Sequence, residues 1–113
     1  MGKSRTEAQL EAEFQARLIK RLRDRFHGCF ILKNDANYLQ GVPDLLILFE
    51  NKWAMLEVKA SEDSDEQPNQ GYYVKLLDGM SFSAFIYPEN EEEVLHDLEQ
   101  AFRPSRPTRV ALR

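Results

Sequence analysis

Cysteine is nearly absent from this chain. A single residue, Cys29, occurs among 113, which excludes an intramolecular disulfide and a zinc site built from cysteines. Histidine is scarce too: His27 and His96 are too few for a histidine-rich metal centre. No apolar run approaches the roughly 18 residues of a membrane span, and the start of the chain carries no signal-peptide pattern. The expected setting is a reducing cytoplasm, with no membrane and no small-molecule cofactor. A nucleophile-elbow motif for a serine hydrolase is missing as well. What is present suits one globular domain with a real core: 42% hydrophobic and 30% charged residues. Residues 1–113 are read as a single domain with basic tails at 1–5 and 103–113. Pro104 and Pro107 keep the last stretch from extending a helix.

Charge of either sign is plentiful but segregated. Residues 1–33 hold 8 basic and 4 acidic side chains, residues 34–102 hold 3 and 15, and residues 103–113 hold 4 arginines and no acid. These give +4, −12 and +4, which add to the net −4. Basic ends of this kind suit phosphate, while the acidic middle can carry metal ligands. Solvated faces alone also explain many such distributions.

Thr6 to Phe26 reads as a helix capped by Thr6, with Leu10, Phe14, Leu18, Leu22 and Phe26 forming an inward stripe. Gly28 ends it. Cys29 to Lys33 is a short strand, and Asn34 to Gly41 a polar loop. The run Leu45-Leu46-Ile47-Leu48-Phe49 reads as a strand buried on both faces. A turn at Glu50 to Lys52 leads into a strand over Trp53 to Val58. After the acidic loop Ser61 to Glu66, Pro68 opens a helix that Asp78-Gly79 ends. Ser81 to Tyr87 is a strand, and Pro88-Glu89 open a final acidic helix with Val94, Leu95, Leu98 and Phe102 inward. The order α-β-β-β-α-β-α predicts an α/β fold, a mixed sheet flanked by helices.

The two central strands carry the chemistry. Asp44 and Glu57 stand equally far from the turn at Glu50-Asn51, so an antiparallel hairpin sets them opposite each other. Facing carboxylates repel unless a cation lies between them. Lys59, two residues beyond Glu57, projects from the same face, while Val58 points away and packs. Two acids and a lysine at the end of an apolar sheet suit metal-assisted hydrolysis of a phosphodiester. Mg²⁺ or Mn²⁺ prefers such oxygen ligands, and a lysine can orient water or stabilise the transition state.

Gly41-Val42-Pro43-Asp44, followed after an apolar hairpin by Glu57-Val58-Lys59, resembles the PD-(D/E)XK nuclease signature. Its local form is similar to the virus-type replication-repair nucleases (VRR-NUC) and to archaeal and phage Holliday-junction resolvases, over roughly residues 7 to 90. The resemblance implies a restriction-endonuclease-like core. It implies Asp44, Glu57 and the Val58 backbone carbonyl as ligands of Mg²⁺ or Mn²⁺, with Lys59 positioning the attacking water. Members of the superfamily usually place an acid on the first helix. Glu11 and Glu13 are the candidates here, and Glu11 is favoured because it lies on the inward stripe, four residues before Gln15; the resemblance implies that it joins the metal site, acting through the ion or its water. A Gln-x-x-Tyr element matches Gln70 to Tyr73, where Gln70 would support Lys59 or a phosphate. Lys33 and the helix face bearing Arg17, Arg21 and Arg25 are candidates for contacting DNA.

The expectation is a small metal-dependent DNA endonuclease of a phage-like kind. It is expected to cut branched DNA as a junction resolvase, and a homodimer would then supply two active sites. A flap, nicking or end-processing nuclease on other duplex DNA is the neighbouring alternative. A third reading, from another class, is a nuclease-fold accessory that binds DNA or protein without cutting, using its acidic surfaces.

Overall fold

Thr6 starts the first helix as expected. In the computed structural model, which describes residues 4–104, its hydroxyl accepts from the Gln9 backbone N–H while the Gln9 side chain accepts from the Thr6 N–H. This reciprocal cap satisfies donors that a helix start otherwise leaves open. The helix, α1, runs Glu7–Arg25, and Gly28 turns the chain with φ +88°. Three strands follow: β1 (Phe30–Lys33), β2 (Leu45–Phe49) and β3 (Lys52–Val58). Then come α2 (Gln70–Met80), β4 (Phe82–Ile86), one 3₁₀ turn (Pro88–Asn90) and α3 (Glu91–Ala101). The expected basic tails fall largely at residues 1–3 and 105–113, outside the described residues.

The sheet has the order β1-β2-β3-β4. β1, β2 and β3 pair antiparallel, and β4 joins β3 in parallel after the α2 crossover. Among the described residues this is an α/β arrangement, a mixed four-stranded sheet with three α-helices. One face, carrying Leu45, Ile47, Ala54, Leu56, Val58 and Ile86, is sealed by Phe14, Leu18 and Leu22 of α1 and by Val94, Leu95 and Leu98 of α3. Phe26, Phe49 and Phe102 close one end of this core, with ring centroids 5.2 to 5.5 Å apart. The side chains alternate, so the other face carries Leu46, Leu48, Trp53, Met55 and Glu57.

Three expectations need correction. β2 is not buried on both faces: α2 packs chiefly on β3 and β4, and Leu48 of β2 and Phe30 and Leu32 of β1 remain exposed. Leu10 is exposed as well. The 19-residue α1 spans about 28 Å, against roughly 16 Å for a five-residue strand, and its first turns overhang the sheet. α2 begins at Gln70 rather than at Pro68, since Asn69 adopts a left-handed φ of 72°, and it continues through Asp78-Gly79 to Met80.

Candidate active site

The β2–β3 register ends with Leu45 opposite Leu56. One step further, Asp44 falls opposite Glu57 on the face that α2 partly covers. Pro43, fully buried, leads the chain into this position. The Asp44 carboxylate accepts the Val58 backbone N–H at 2.8 Å, and the Asp44 carbonyl accepts from the Asn34 N–H at 2.8 Å. Asp44 is thereby fixed between β1 and β3.

Glu57 and Lys59 are almost completely buried, at 2% and 6% exposure. Their partner is Gln70, the first residue of α2. Its amide nitrogen donates to Glu57 Oε2 at 2.8 Å, and its oxygen accepts from Lys59 Nζ at 2.7 Å. The same oxygen also accepts from the Gln67 backbone N–H at 2.8 Å. A carboxamide oxygen that meets two donors and a nitrogen that meets a carboxylate leave one sensible orientation for the amide. Lys59 makes its other bond to the Asp65 carbonyl, at 2.9 Å. An ammonium carries three donors, so one remains for a ligand.

Glu57 Oε1 is buried and has no hydrogen-bond partner. Buried carboxylate oxygens are normally satisfied, and an uncompensated one is expensive. Burial, then the facing charge of Asp44, pushes the Glu57 carboxyl up to about 8 against the opposing pull of Lys59. Burial raises Asp44 as well, opposed first by the Val58 N–H. This is a pair of acids short of positive charge. A divalent cation with oxygen preference fits the donor set, because such ions commonly bind through one or two carboxylates and keep several waters.

Glu11 is half-buried on α1, and its carboxyl is raised by burial and by the nearby charge of Asp44, with Lys59 opposing. Glu13 instead pairs with Arg5 at 2.8 Å on the exposed side. The helix acid that faces the site is therefore Glu11. No three carboxylate, histidine or cysteine side chains among the described residues are grouped to hold one ion.

The basic candidates are less convergent. Lys33 lies opposite Leu45, on the α1 and α3 side of the sheet rather than on the Glu57 side, and is exposed. Arg21 is held by Glu91 and Glu92 at 3.0 and 2.8 Å, and Arg25 by Glu99 at 3.1 Å. Arg17 lies over the Phe14 ring, 5.9 Å from its centroid, with its edge open to solvent. Asn34 and Asp65 were not anticipated from the sequence. Counting one step past the end of β1 sets Asn34 opposite Asp44, and that pairing is the signal that could have found it. Asp65 acts through its backbone carbonyl, for which residue type gives no signal.

The chain matches no protein-family model, no curated protein and no solved structure.

Proposed function

We propose that this chain is a Mg²⁺- or Mn²⁺-dependent nuclease of restriction-endonuclease-like architecture that hydrolyses phosphodiester bonds in DNA. The observation that carries the reading is the facing Asp44–Glu57 pair, tied to the buried Lys59 through Gln70, with one buried Glu57 oxygen lacking a partner. Asp44, Glu57 and the Val58 carbonyl would hold the ion. When bound, it would lower the pKa of a water and neutralise phosphate charge.

The remaining work falls to the chain's own side chains. Lys59 presents its third N–H to the attacking water or to the oxygen that gains charge. Gln70 holds Lys59 and Glu57 in one arrangement. Glu11 contributes negative charge beside Asp44. Arg17 and Lys33 offer contacts to flanking phosphates, while Arg21 and Arg25 are engaged by α3.

The proposed substrate is branched DNA, cut by a homodimer as a junction resolvase would. Flap cutting, nicking and end processing use the same site. The acid-paired arginines favour one further reading, a nuclease-fold protein that binds without cutting. The test is a panel of labelled four-way junction, flap, linear duplex and single-stranded DNA, each with Mg²⁺, Mn²⁺ or EDTA. Metal-dependent cutting of the junction supports the resolvase reading. Cutting of ends or flaps alone keeps the site and changes the substrate. Metal-independent binding with no cutting of any substrate overturns the nuclease reading.

A further inference from the structure

The polar loop between β1 and β2 is built rather than slack. Asn34 closes its base, with its N–H on the Asp44 carbonyl and its side-chain amide on the Pro43 carbonyl, both at 2.8 Å. Inside the loop, Asp35 Oδ1 accepts from the Asn37 N–H at 2.9 Å, and the Asp35 carbonyl accepts from the Tyr38 N–H at 3.1 Å. The Val42 N–H returns to the Leu39 carbonyl at 3.3 Å. On this frame Tyr38 stands 87% exposed. A large aromatic ring held in water by an ordered turn contributes little to the core and is already positioned to cover a flat apolar partner.

Tyr38 lines one groove, of about 470 Å³, with Asn34, Asp35, Leu39 and Val42, and a second groove of about 480 Å³ runs between the same loop and the start of α2, lined by Ala36, Asn37, Gln40, Gly41, Gln67 and Gln70. Its volume is that of an ordinary small-ligand cleft. The lining holds four carboxamides and no ionisable group. Gln70 belongs to this lining and also donates to Glu57, so one side chain separates the groove from the paired acids. Carboxamides both donate and accept, as nucleobase edges do. A groove made for phosphate would instead show lysine or arginine.

Resting on the nuclease reading of the adjoining acids, we infer that this loop receives an unpaired nucleotide next to the cut. Tyr38 stacks on its base, and Asn37 and Gln40, in the second groove, bond the edge of the neighbouring base. A base inside an intact duplex has neither its face nor its Watson–Crick edge free. The substrate class is therefore DNA with an unpaired nucleotide beside the scissile bond, such as a flap, a fork or an open junction.

The test separates binding from cutting. A short single-stranded oligonucleotide containing 2-aminopurine is titrated with the protein in EDTA, and a duplex of equal length serves as comparison. Stacking on Tyr38 quenches the fluorescence. Tyr38→Ala weakens single-strand binding about tenfold and abolishes the quench, whereas Tyr38→Phe keeps both. Asn37→Ala with Gln40→Ala weakens binding and leaves the quench. Duplex affinity stays the same throughout, and circular dichroism checks the fold. Unchanged binding by Tyr38→Ala, or an equal loss on duplex, overturns the inference even if the protein cuts DNA. Tyr38-dependent quenching in a protein that cuts nothing with any metal upholds the nucleotide site and overturns the nuclease reading instead.

Discussion

A Cβ placed on Gly41 would stand 2.6 Å from the Cβ of Asn69, closer than real side chains approach, and 2.9 Å from the Asn69 carbonyl carbon. Both residues have left-handed backbones, with φ of +94° and 72°. Gly41 leads through Val42 and Pro43 to Asp44, and Asn69 immediately precedes Gln70. This one contact therefore sets the acid pair against the amide that bridges it to Lys59.

Gly41→Ala is predicted to destabilise the protein by about 2–3 kcal/mol, since backbone rather than a flexible side-chain end opposes the new methyl group. It should also lower activity beyond the loss of folded protein by moving Gln70. Gly79→Ala is the control: nothing lies within 4 Å of a Cβ there, and in a helix the change should stabilise by about 0.5–1 kcal/mol. Urea denaturation of both variants reads the difference.

Gln70→Ala removes one acceptor from Lys59 and one donor from Glu57, leaving buried charged groups short of partners. The expected cost is about 1–3 kcal/mol of stability. A loss of activity of roughly tenfold or more should accompany it, because Lys59 and Glu57 lose their common anchor. Gln70→Glu should be worse for stability than Gln70→Ala, since it brings a third carboxylate against Glu57. Thermal denaturation of the purified variants ranks them.

Much of this site was legible before any coordinates. Counting outward from the Glu50-Asn51 turn sets Asp44 opposite Glu57, and β-strand alternation sends Lys59 to the face of Glu57. Thr6 and the 3.6-residue stripe foretold α1. Other features depend on contacts between distant segments. Asn69 starts α2 in a left-handed conformation without a side-chain cap, which no start signal encodes. Arg21 and Arg25 look like a free basic face until α3 brings Glu91, Glu92 and Glu99 against them. Leu48 looks buried until α2 is seen to pack chiefly on β3 and β4.

The raised carboxyl of Glu57 gives a pH signature for the metal-free protein. Its folded value of about 8 lies above the ordinary 4.5, so the native state keeps a proton that the unfolded chain releases. Stability is then fullest below about pH 4.5 and falls as pH rises towards 8, by a few kcal/mol in all. Glu57→Gln, which cannot ionise, should flatten this slope and be more stable than wild type at pH 8. Mg²⁺ should raise the wild-type melting temperature more at pH 8 than at pH 5, because the ion needs the deprotonated acids. Denaturation curves from pH 5 to 9, with EDTA or Mg²⁺, test each sign. A stability that rises across this range in EDTA would contradict the buried acid pair.

The central claim is that Asp44, Glu57 and Lys59 form one hydrolytic site. Its most direct test is the cleavage rate of labelled branched DNA with saturating Mg²⁺, for wild type beside Lys59→Ala and Glu57→Gln, each checked for fold by circular dichroism. The account predicts cutting by wild type that EDTA abolishes, a drop of about 100- to 1000-fold for Lys59→Ala, and no detectable cutting for Glu57→Gln. Equal cutting by all three folded proteins, or cutting that persists in EDTA, would contradict it.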